Sequence, residues 1–521
     1  MKRLTKEQIL AIHQRCIEET GGFLGIRDEG MFDSLLMYRR ASYSQGQGAE
    51  NTEISASFCV HKGSLGNSSF FWCPISRDNG SCRFSFYGKI IVACVGGAGM
   101  EQKLFTEVIP LYRLHKDNPY AIRIRIRMQD DVDPVVLRRA VDATMERYPY
   151  FCVKLQVRGD AFIFAENREP VVVSDSGQGV TLNSAEANDH LLSFSYHADW
   201  LVMDIFHGLT DGTGTYEVIR TLLYYYCCQR YKVTLSTAGI RLAGDKISQE
   251  EWDCPVMKAQ DLPTPRRHEW SNALLPGIAA NLHTESPDYV YSILLAEDAF
   301  MHFCKENGGS PGTMVSLLLS RSLAKLYPHA RESIRIVLCV NQRKALHAPL
   351  AHQSLVGGAF LEYDEQLRKL PLSEQVKAYR NMVAAQTGEK AVLSGVAHTA
   401  GLTKMLLAKK THKERLAMMA KVDEAANRFA AANVSYVGKA NFGEAEKYVK
   451  EFHAWNATIM DITLQISAVN GKFTLDFMQK FSSPVYLKAF LQELADNGIA
   501  YELQDKQIRS LPAVRAPWQG V

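Results

Sequence analysis

The 521-residue sequence lacks the features of a membrane or secreted protein. No apolar run reaches the roughly 18 residues that a transmembrane helix needs. The N-terminus, from Met1 to Glu7, leads directly into an amphipathic pattern and has no apolar stretch of the signal-peptide kind. We therefore expect a cytoplasmic protein with no membrane span.

The sequence also lacks an excess of charge of either sign. There are 59 Lys and Arg residues against 56 Asp and Glu residues, and no dense basic run occurs. This balance gives no support for nucleic-acid binding. The 11 cysteines include no Cys-x-x-Cys pair, which argues against a disulfide framework and against a zinc site. We therefore predict no metal centre.

What is present divides into segments of different character. In residues 1–46, Ile9, Ile12 and Ile17 give the amphipathic pattern of a helix, which Gly21 and Gly22 end. The stretch LTKEQILAIHQRCIEETGGFLGIRDEGMFDSLL resembles the start of death-on-curing (Doc/Fic-type) toxins. The chain has no His-Pro-Phe-x-x-Gly-Asn-Lys-Arg motif, on which the chemistry of those toxins depends. The resemblance therefore implies a truncated helical fragment without that activity.

Residues 47–99 are rich in Ser and Cys and poor in charge, and they have no helical period. We expect this segment to be an irregular linker that need not be ordered. From residue 100 onwards the patterns become regular, and they alternate between strand and helix.

The alternation of Ile and Arg over Ala121–Met128 predicts a strand. Its arginines, Arg123, Arg125 and Arg127, fall on one face, which we interpret as a solvated face of a sheet. Asp133 and Pro134 then begin a helix that is expected to end at Arg147, since a proline follows Tyr148.

A second strand–loop–helix unit carries the candidate chemistry. Trp200–Phe206 predicts an apolar strand, His207 follows it, and Asp211-Gly212 precedes a helix expected over Thr215–Gln229. A histidine at the end of a rigid strand is suited to be a general base, because its pKa lies near neutral pH. Gly208 and Gly212 would leave room for a substrate and a tight turn.

His-x-x-x-Asp-Gly after an apolar strand and before a helix resembles the signature of chloramphenicol-acetyltransferase-like acyltransferases. This superfamily includes alcohol acetyltransferases and nonribosomal-peptide condensation domains. The likeness extends through Asp133–Leu155 and Ile334–Arg343 to the C-terminus, and it includes a segment, Asn433–Gly443, that is similar to the family's crossover strand. It implies an α/β fold with mixed sheets and flanking helices, in an N-terminal lobe (100–285) and a C-terminal lobe (286–521).

The resemblance implies direct acyl transfer from a thioester to an alcohol or amine, in a tunnel between the lobes. The thioester would be acyl-CoA or the phosphopantetheine arm of an acyl carrier protein, with no tightly bound cofactor. His207 would be the general base. The hydroxyl of Ser435 or a backbone N–H near Gly212 would stabilise the oxyanion. Asp211 would hold the loop through an arginine, with Arg343 the first choice and Arg125 the second.

Two alternatives remain at the level of sequence. Many condensation domains have a second histidine where this chain has Phe206. This difference favours ester or amide formation over peptide condensation, although a condensation-type amide synthase remains the alternative enzyme. The other alternative is a catalytically degenerate binding protein. The sequence does not specify the donor, the acyl chain length, the acceptor or the oligomeric state.

Overall fold

The computed structural model describes most of the chain after residue 100 and two strands before it. The described residues are 56–62, 68–74, 101–105, 107–114, 119–159, 161–252, 254–256, 262, 270–282, 288–457 and 460–518. The chain divides into two compact units, Met1–Met100 and Glu101–Val521.

The first unit contains an antiparallel pair of strands, β1 (Ala56–Lys62) and β2 (Ser68–Pro74). Both lie within the segment 47–99 that we expected to be irregular. Their aromatic and β-branched residues are those that favour extended structure. The helices and the toxin resemblance expected over residues 1–46 lie outside the described residues.

Strands make up much of the second unit. They are β3 (Glu101–Lys103), β4 (Ala121–Met128), β5 (Val153–Arg158), β6 (Ala161–Glu166), β7 (Val173–Ser174), β8 (Leu192–His197), β9 (Trp200–Phe206), β10 (Tyr289–Ala296), β11 (Ile334–Asn341), β12 (Val356–Tyr363), β13 (Ala432–Tyr436), β14 (Val449–Asn456), β15 (Ile462–Val469), β16 (Lys472–Gln479), β17 (Glu502–Leu503) and β18 (Gln507–Ile508).

Helices flank these strands. They are α1 (Val108–Leu111), α2 (Pro134–Arg147), α3 (Gly212–Arg230), α4 (Pro276–Ala279), α5 (Glu297–Glu306), α6 (Pro311–Leu326), α7 (Glu365–Arg368), α8 (Leu372–Thr387), α9 (Glu389–Leu407), α10 (His412–Asn427) and α11 (Val485–Asp496). Short 3-10 helices occupy Pro149–Phe151, Ala185–Ala187, Gln249–Trp252 and Gly443–Tyr448.

Two sheets organise two hydrophobic cores. A five-stranded sheet has the order β14-β4-β9-β8-β7, and helices α2 and α3, which pack against each other, share its core. An eight-stranded sheet has the order β12-β11-β13-β15-β16-β10-β17, with β18 also pairing with β10, and helices α6 and α11 share the second core. Strands β3, β6 and β5 form a smaller sheet. This is the mixed α/β, two-lobed architecture expected from the sequence.

Helix α2 illustrates how the sequence specifies an element. Asp133 is its N-cap, and the Asp133 carboxylate accepts hydrogen bonds from the backbone N–H groups of Val135 and Val136. Pro134 occupies the first turn, where the missing N–H is not needed. The helix buries Leu137, Val141 and other apolar residues against the sheet. Its predicted bounds, Asp133–Pro134 to Arg147, are confirmed.

The chain crosses between the sheets at β14, which differs from the sequence analysis. The predicted crossover segment, Asn433–Gly443, contains most of β13, and β13 lies between β11 and β15 in the eight-stranded sheet. Strand β14 instead pairs antiparallel with β4 of the five-stranded sheet. That expectation was wrong because strand pairing depends on distant partners, which a local pattern does not reveal.

The arginine face of β4 is covered at Arg123 and Arg125, so that interpretation was wrong for these two residues, whereas the Arg127 side chain is 41% exposed. Arg123 is 3% exposed and pairs with Asp204, with 2.7 Å between Nε and Oδ1. The Arg125 guanidinium lies over the rings of Trp200 and Trp455, 4.4 and 4.5 Å from their centroids. Alternation places these side chains on one face, but the ion pair and the indole rings cover that face at Arg123 and Arg125.

Candidate active site

His207 is held by hydrogen bonds on both its backbone and its ring. Its backbone N–H donates to the carbonyl oxygen of Tyr120 over 3.0 Å, and Nδ1 lies 3.0 Å from the carbonyl oxygen of Thr210. Because a carbonyl oxygen can only accept, we assign the neutral ring's proton to Nδ1. Nε2 then carries the free lone pair that a general base needs.

The surroundings of His207 favour the neutral ring. Burial lowers the pKa of His207 from its ordinary value, and this effect outweighs the opposing influence of the Asp211 charge and of the Thr210 carbonyl. The ring lies against Tyr120, with 5.4 Å between centroids. At neutral pH the imidazole is therefore ready to accept a proton.

Asp211 forms a buried, bidentate ion pair with Arg343, as the sequence analysis expected of its first-choice arginine. Arg343 Nη1 lies 2.8 Å from Oδ2 of Asp211, and Nη2 lies 3.0 Å from Oδ1. Asp211 is 0% exposed and Arg343 is 4% exposed. The second-choice arginine, Arg125, instead lies between tryptophan rings and makes a hydrogen bond to Gln507.

The remaining bonds of this pair fix the backbone around the site. The Asp211 carboxylate caps helix α3 by accepting from the backbone N–H groups of Thr213 and Gly214, and it also accepts from that of Leu355. Arg343 donates to the carbonyl oxygens of Ala351 and Gln353, two further residues of the loop that follows β11. The ion pair thus ties the His207 loop to the second lobe.

Gly208 and Gly212 are required by close packing. A Cβ on Gly212 would lie 2.5 Å from Cγ2 of Val437, and a Cβ on Gly208 would lie 2.2 Å from the Phe206 ring. Protein occupies the space at the Cβ position of each glycine, while Gly212 and Gly208 each line a cavity that His207 also lines. Glycine at position 212 lets the start of α3 approach the second lobe at Val437.

Two cavities reach His207. The smaller, about 80 Å³, is lined by strands of both sheets and by the first turns of α3, including Gly212 and Tyr216. The larger, about 660 Å³, is lined by Arg113, Tyr120, Gly208 and residues of β12 and α9. His207 and Val356 line both. The base candidate therefore stands where the two spaces meet.

The structure brings most of the predicted site residues together. Ser435, Gly212 and His207 line the smaller cavity, and Gly208 lines the larger one. Sequence reasoning missed Tyr120, which accepts from the His207 backbone, and Tyr216, which lines the smaller cavity. Tyr216 could have been found from its helical spacing, because it lies one turn after Gly212 on α3.

Neither a membrane-spanning helix nor a metal site is found in the described part of the chain. No helix there is long and apolar enough to cross a bilayer. No group of three or more His, Cys, Asp or Glu side chains is placed to hold a metal ion among the same residues.

Comparison with solved structures identifies the fold. Polyketide synthase associated protein 5 from Mycobacterium tuberculosis matches with a TM-score of 0.52 and 12% identity, over 75% of this chain and 96% of that chain. The condensation domain of the monacolin K polyketide synthase MokA matches with a TM-score of 0.51 and 14% identity, over 76% of this chain and 97% of that chain. No family model and no curated protein matches. The chain therefore shares the two-lobed fold of these two structures.

Proposed function

We propose that this protein is an acyltransferase that moves an acyl group from a thioester to an alcohol or amine, with His207 as general base. The observation that carries the proposal is the position of His207. A neutral imidazole with a free Nε2 stands where two cavities meet. A reaction between two substrates that arrive from different sides needs a base at such a junction.

The proposed reaction needs no covalent enzyme intermediate. Nε2 of His207 takes the proton of the acceptor's O–H or N–H group as that atom attacks the thioester carbonyl carbon. The tetrahedral intermediate then collapses, its C–S bond breaks, and the imidazolium returns the proton to the leaving thiolate. Base catalysis of this kind contributes about 10²- to 10⁴-fold.

The negative charge on the tetrahedral oxygen requires a hydrogen-bond donor. The Ser435 hydroxyl and the backbone N–H of Gly212 are our candidates, because both residues line the smaller cavity together with His207. Asp211 and Arg343 act as positioning residues in this scheme. They hold the loop and helix from which His207 and Gly212 project.

The larger cavity suits the donor, because a pantetheine arm is long and needs an extended space. Arg113 lies on its wall, with its guanidinium paired to the Asp423 carboxylate. Acyl-CoA and a carrier-protein thioester share this arm, so both remain candidate donors. We keep amines beside alcohols as candidate acceptors, because a condensation domain shares the fold.

The test is release of free CoA from acetyl-CoA and longer acyl-CoAs in the presence of a panel of alcohols and amines. We expect release that depends on the acceptor and falls at least 100-fold in His207→Ala, since the base is lost. His197→Ala is the matched control, because His197 is exposed at the end of β8, and it should retain full activity. Equal activity of His207→Ala and wild type would overturn the proposal. If no acyl-CoA is turned over, the same panel with an acylated carrier protein tests the other donor.

A further inference from the structure

The smaller cavity differs from the larger one in its chemistry as well as its size. No Asp, Glu, Lys or Arg is among the residues that line it, whereas the larger cavity has Glu107 and Arg113 on its wall. Its polar side chains other than His207 are mostly hydroxyls and amides, together with the Trp455 indole and the Cys339 thiol. The hydroxyls and amides belong to Thr213, Tyr216, Asn341, Ser435, Tyr436, Asn456 and Gln465.

Three of the lining side chains have a buried polar atom without a hydrogen-bond partner in the described part of the chain. These atoms are Oη of Tyr216, Nε1 of Trp455 and Oδ1 of Asn456. Tyr216 is 3% exposed, and burial raises its pKa, so its hydroxyl stays protonated and can donate. An unsatisfied buried polar group destabilises the fold, and a hydrogen bond to a bound hydroxyl or amide would offset that effect.

The polar groups lie on different walls of this cavity. Tyr216 follows Gly212 by one turn of α3, so both lie on the same helix face. Asn456 ends β14, beside the end of β4 that leads back to Tyr120 and His207. Ser435 and Gln465 are register partners on adjacent strands of the eight-stranded sheet, and Gln465 is 5% exposed.

We infer that the smaller cavity binds a compact, uncharged group that carries a hydroxyl or an amide. The Tyr216 hydroxyl donates a hydrogen bond to this group, and Asn456 Oδ1 accepts one from it. The inference rests on the proposed function, because it names what one of the two substrates presents to His207.

Charge and size set the limits of this group. A carboxylate or ammonium would lose its hydration and find no opposite charge on the lining, which is costly. The cavity's volume of about 80 Å³, against about 660 Å³ for the larger one, favours a compact group. Either the acceptor or a hydroxylated acyl chain could supply such a group.

Two substrate series in the CoA-release assay distinguish these sources. The acceptor series uses acetyl-CoA with 1,3-propanediol, its apolar isostere 1-butanol, or 3-hydroxypropionate. The acyl series uses one alcohol with 3-hydroxybutyryl-CoA, its apolar isostere isovaleryl-CoA, or succinyl-CoA. We expect kcat/KM in one series to be at least tenfold higher for the uncharged hydroxylated compound than for both others. The series that shows the preference names the substrate that occupies the cavity.

Tyr216→Phe should reduce this preference about tenfold, because it removes the donor but keeps the ring that packs on Phe442 and Phe452. The matched control is Tyr291→Phe, the same change at a tyrosine that is 7% exposed in β10 and is not on the cavity wall. It should keep the preference. A preference for the apolar isosteres in both series, or one that Tyr216→Phe leaves unchanged, would overturn the inference while acyl transfer itself stands.

A binding measurement keeps the inference testable if no acyl-CoA is turned over. Saturation-transfer NMR with 1,3-propanediol and 1-butanol needs no reaction. We expect the diol to bind the wild type at least fivefold more tightly than Tyr216→Phe, with butanol binding both alike. Equal binding of the diol to the two proteins would contradict the inference whatever the CoA-release assay shows.

Discussion

At the scale of single residues, the site contains a histidine that burial keeps uncharged and a buried aspartate whose charge is balanced by an arginine. Burial favours the neutral form of His207, whose Nδ1 lies against the carbonyl oxygen of Thr210. The charged Asp211 is fully buried but is matched by Arg343 and by backbone N–H donors. The site therefore combines a proton acceptor with a rigid support.

Removing the Asp211 carboxylate should destabilise the fold, because the Arg343 guanidinium would remain buried without its partner. We expect Asp211→Ala to lower the free energy of unfolding by about 3–5 kcal/mol, as measured by urea denaturation. The control is Asp142→Ala, which breaks an exposed ion pair with Arg138 on α2 and should cost less than about 1 kcal/mol. Similar losses in the two variants would show that the buried pair does not stabilise the loop.

The sequence could indicate the Asp211–Arg343 pair but not the environment of the β4 arginines. The first followed from a resemblance in which an arginine after an apolar strand holds the motif aspartate. The second depends on Asp204, Trp200 and Trp455, which come from other strands. Alternation gives the side of a strand on which a residue lies, and tertiary packing decides what covers that side.

At the scale of elements, the start of α3 is packed tightly against the second lobe. Gly212→Ala should lower the free energy of unfolding by about 1–3 kcal/mol, because the new Cβ would overlap Cγ2 of Val437. Urea denaturation of the variant against wild type measures this loss.

A double variant identifies the cause of that loss. Val437→Ala removes the overlapping methyl group, and the Cβ of residue 437 lies 3.8 Å from the new atom, an ordinary contact. Gly212→Ala combined with Val437→Ala should therefore lose less than the sum of the two single changes. Additive losses would mean that glycine is needed at position 212 for another reason.

The bounds of individual helices and strands could be predicted from the sequence, whereas the pairing of distant strands could not. The bounds of β4, α2 and β9 agree with the sequence patterns, because strand alternation, an N-cap and a proline are local signals. Helix α3 begins at Gly212 and not at the expected Thr215, since Asp211 caps it. The crossing at β14 was missed because its pairing with β4 joins residues more than 300 positions apart.

At the scale of the whole molecule, a buried charge pair joins the two sheets. His453 lies on β14 of the five-stranded sheet, and its Nδ1 is 2.9 Å from Oδ1 of Asp476 on β16 of the eight-stranded sheet. Burial opposes the charge on His453, but the Asp476 and Glu451 carboxylates outweigh it and raise the pKa to about 9. Protonated His453 therefore stabilises the contact between the sheets.

This pair predicts a dependence of stability on pH. The pKa of His453 is higher in the folded chain than the 6.5 of an unperturbed histidine, so its contribution is complete below pH 6.5 and is lost as the pH rises through about 9. We expect the free energy of unfolding to fall by up to about 3 kcal/mol between pH 6 and pH 9.5. His453→Gln should remove most of this change, and an equal fall in that variant would contradict the assignment.

The central claim is that His207 is a neutral base with its free nitrogen at the junction of two cavities. Histidine-selective ¹⁵N NMR over a pH titration tests this claim without any knowledge of the substrates, with His207→Ala used to assign the signal. The account predicts a proton on Nδ1, an unprotonated Nε2 and a pKa below 6.5. A proton on Nε2 at neutral pH, or a pKa above 6.5, would contradict it.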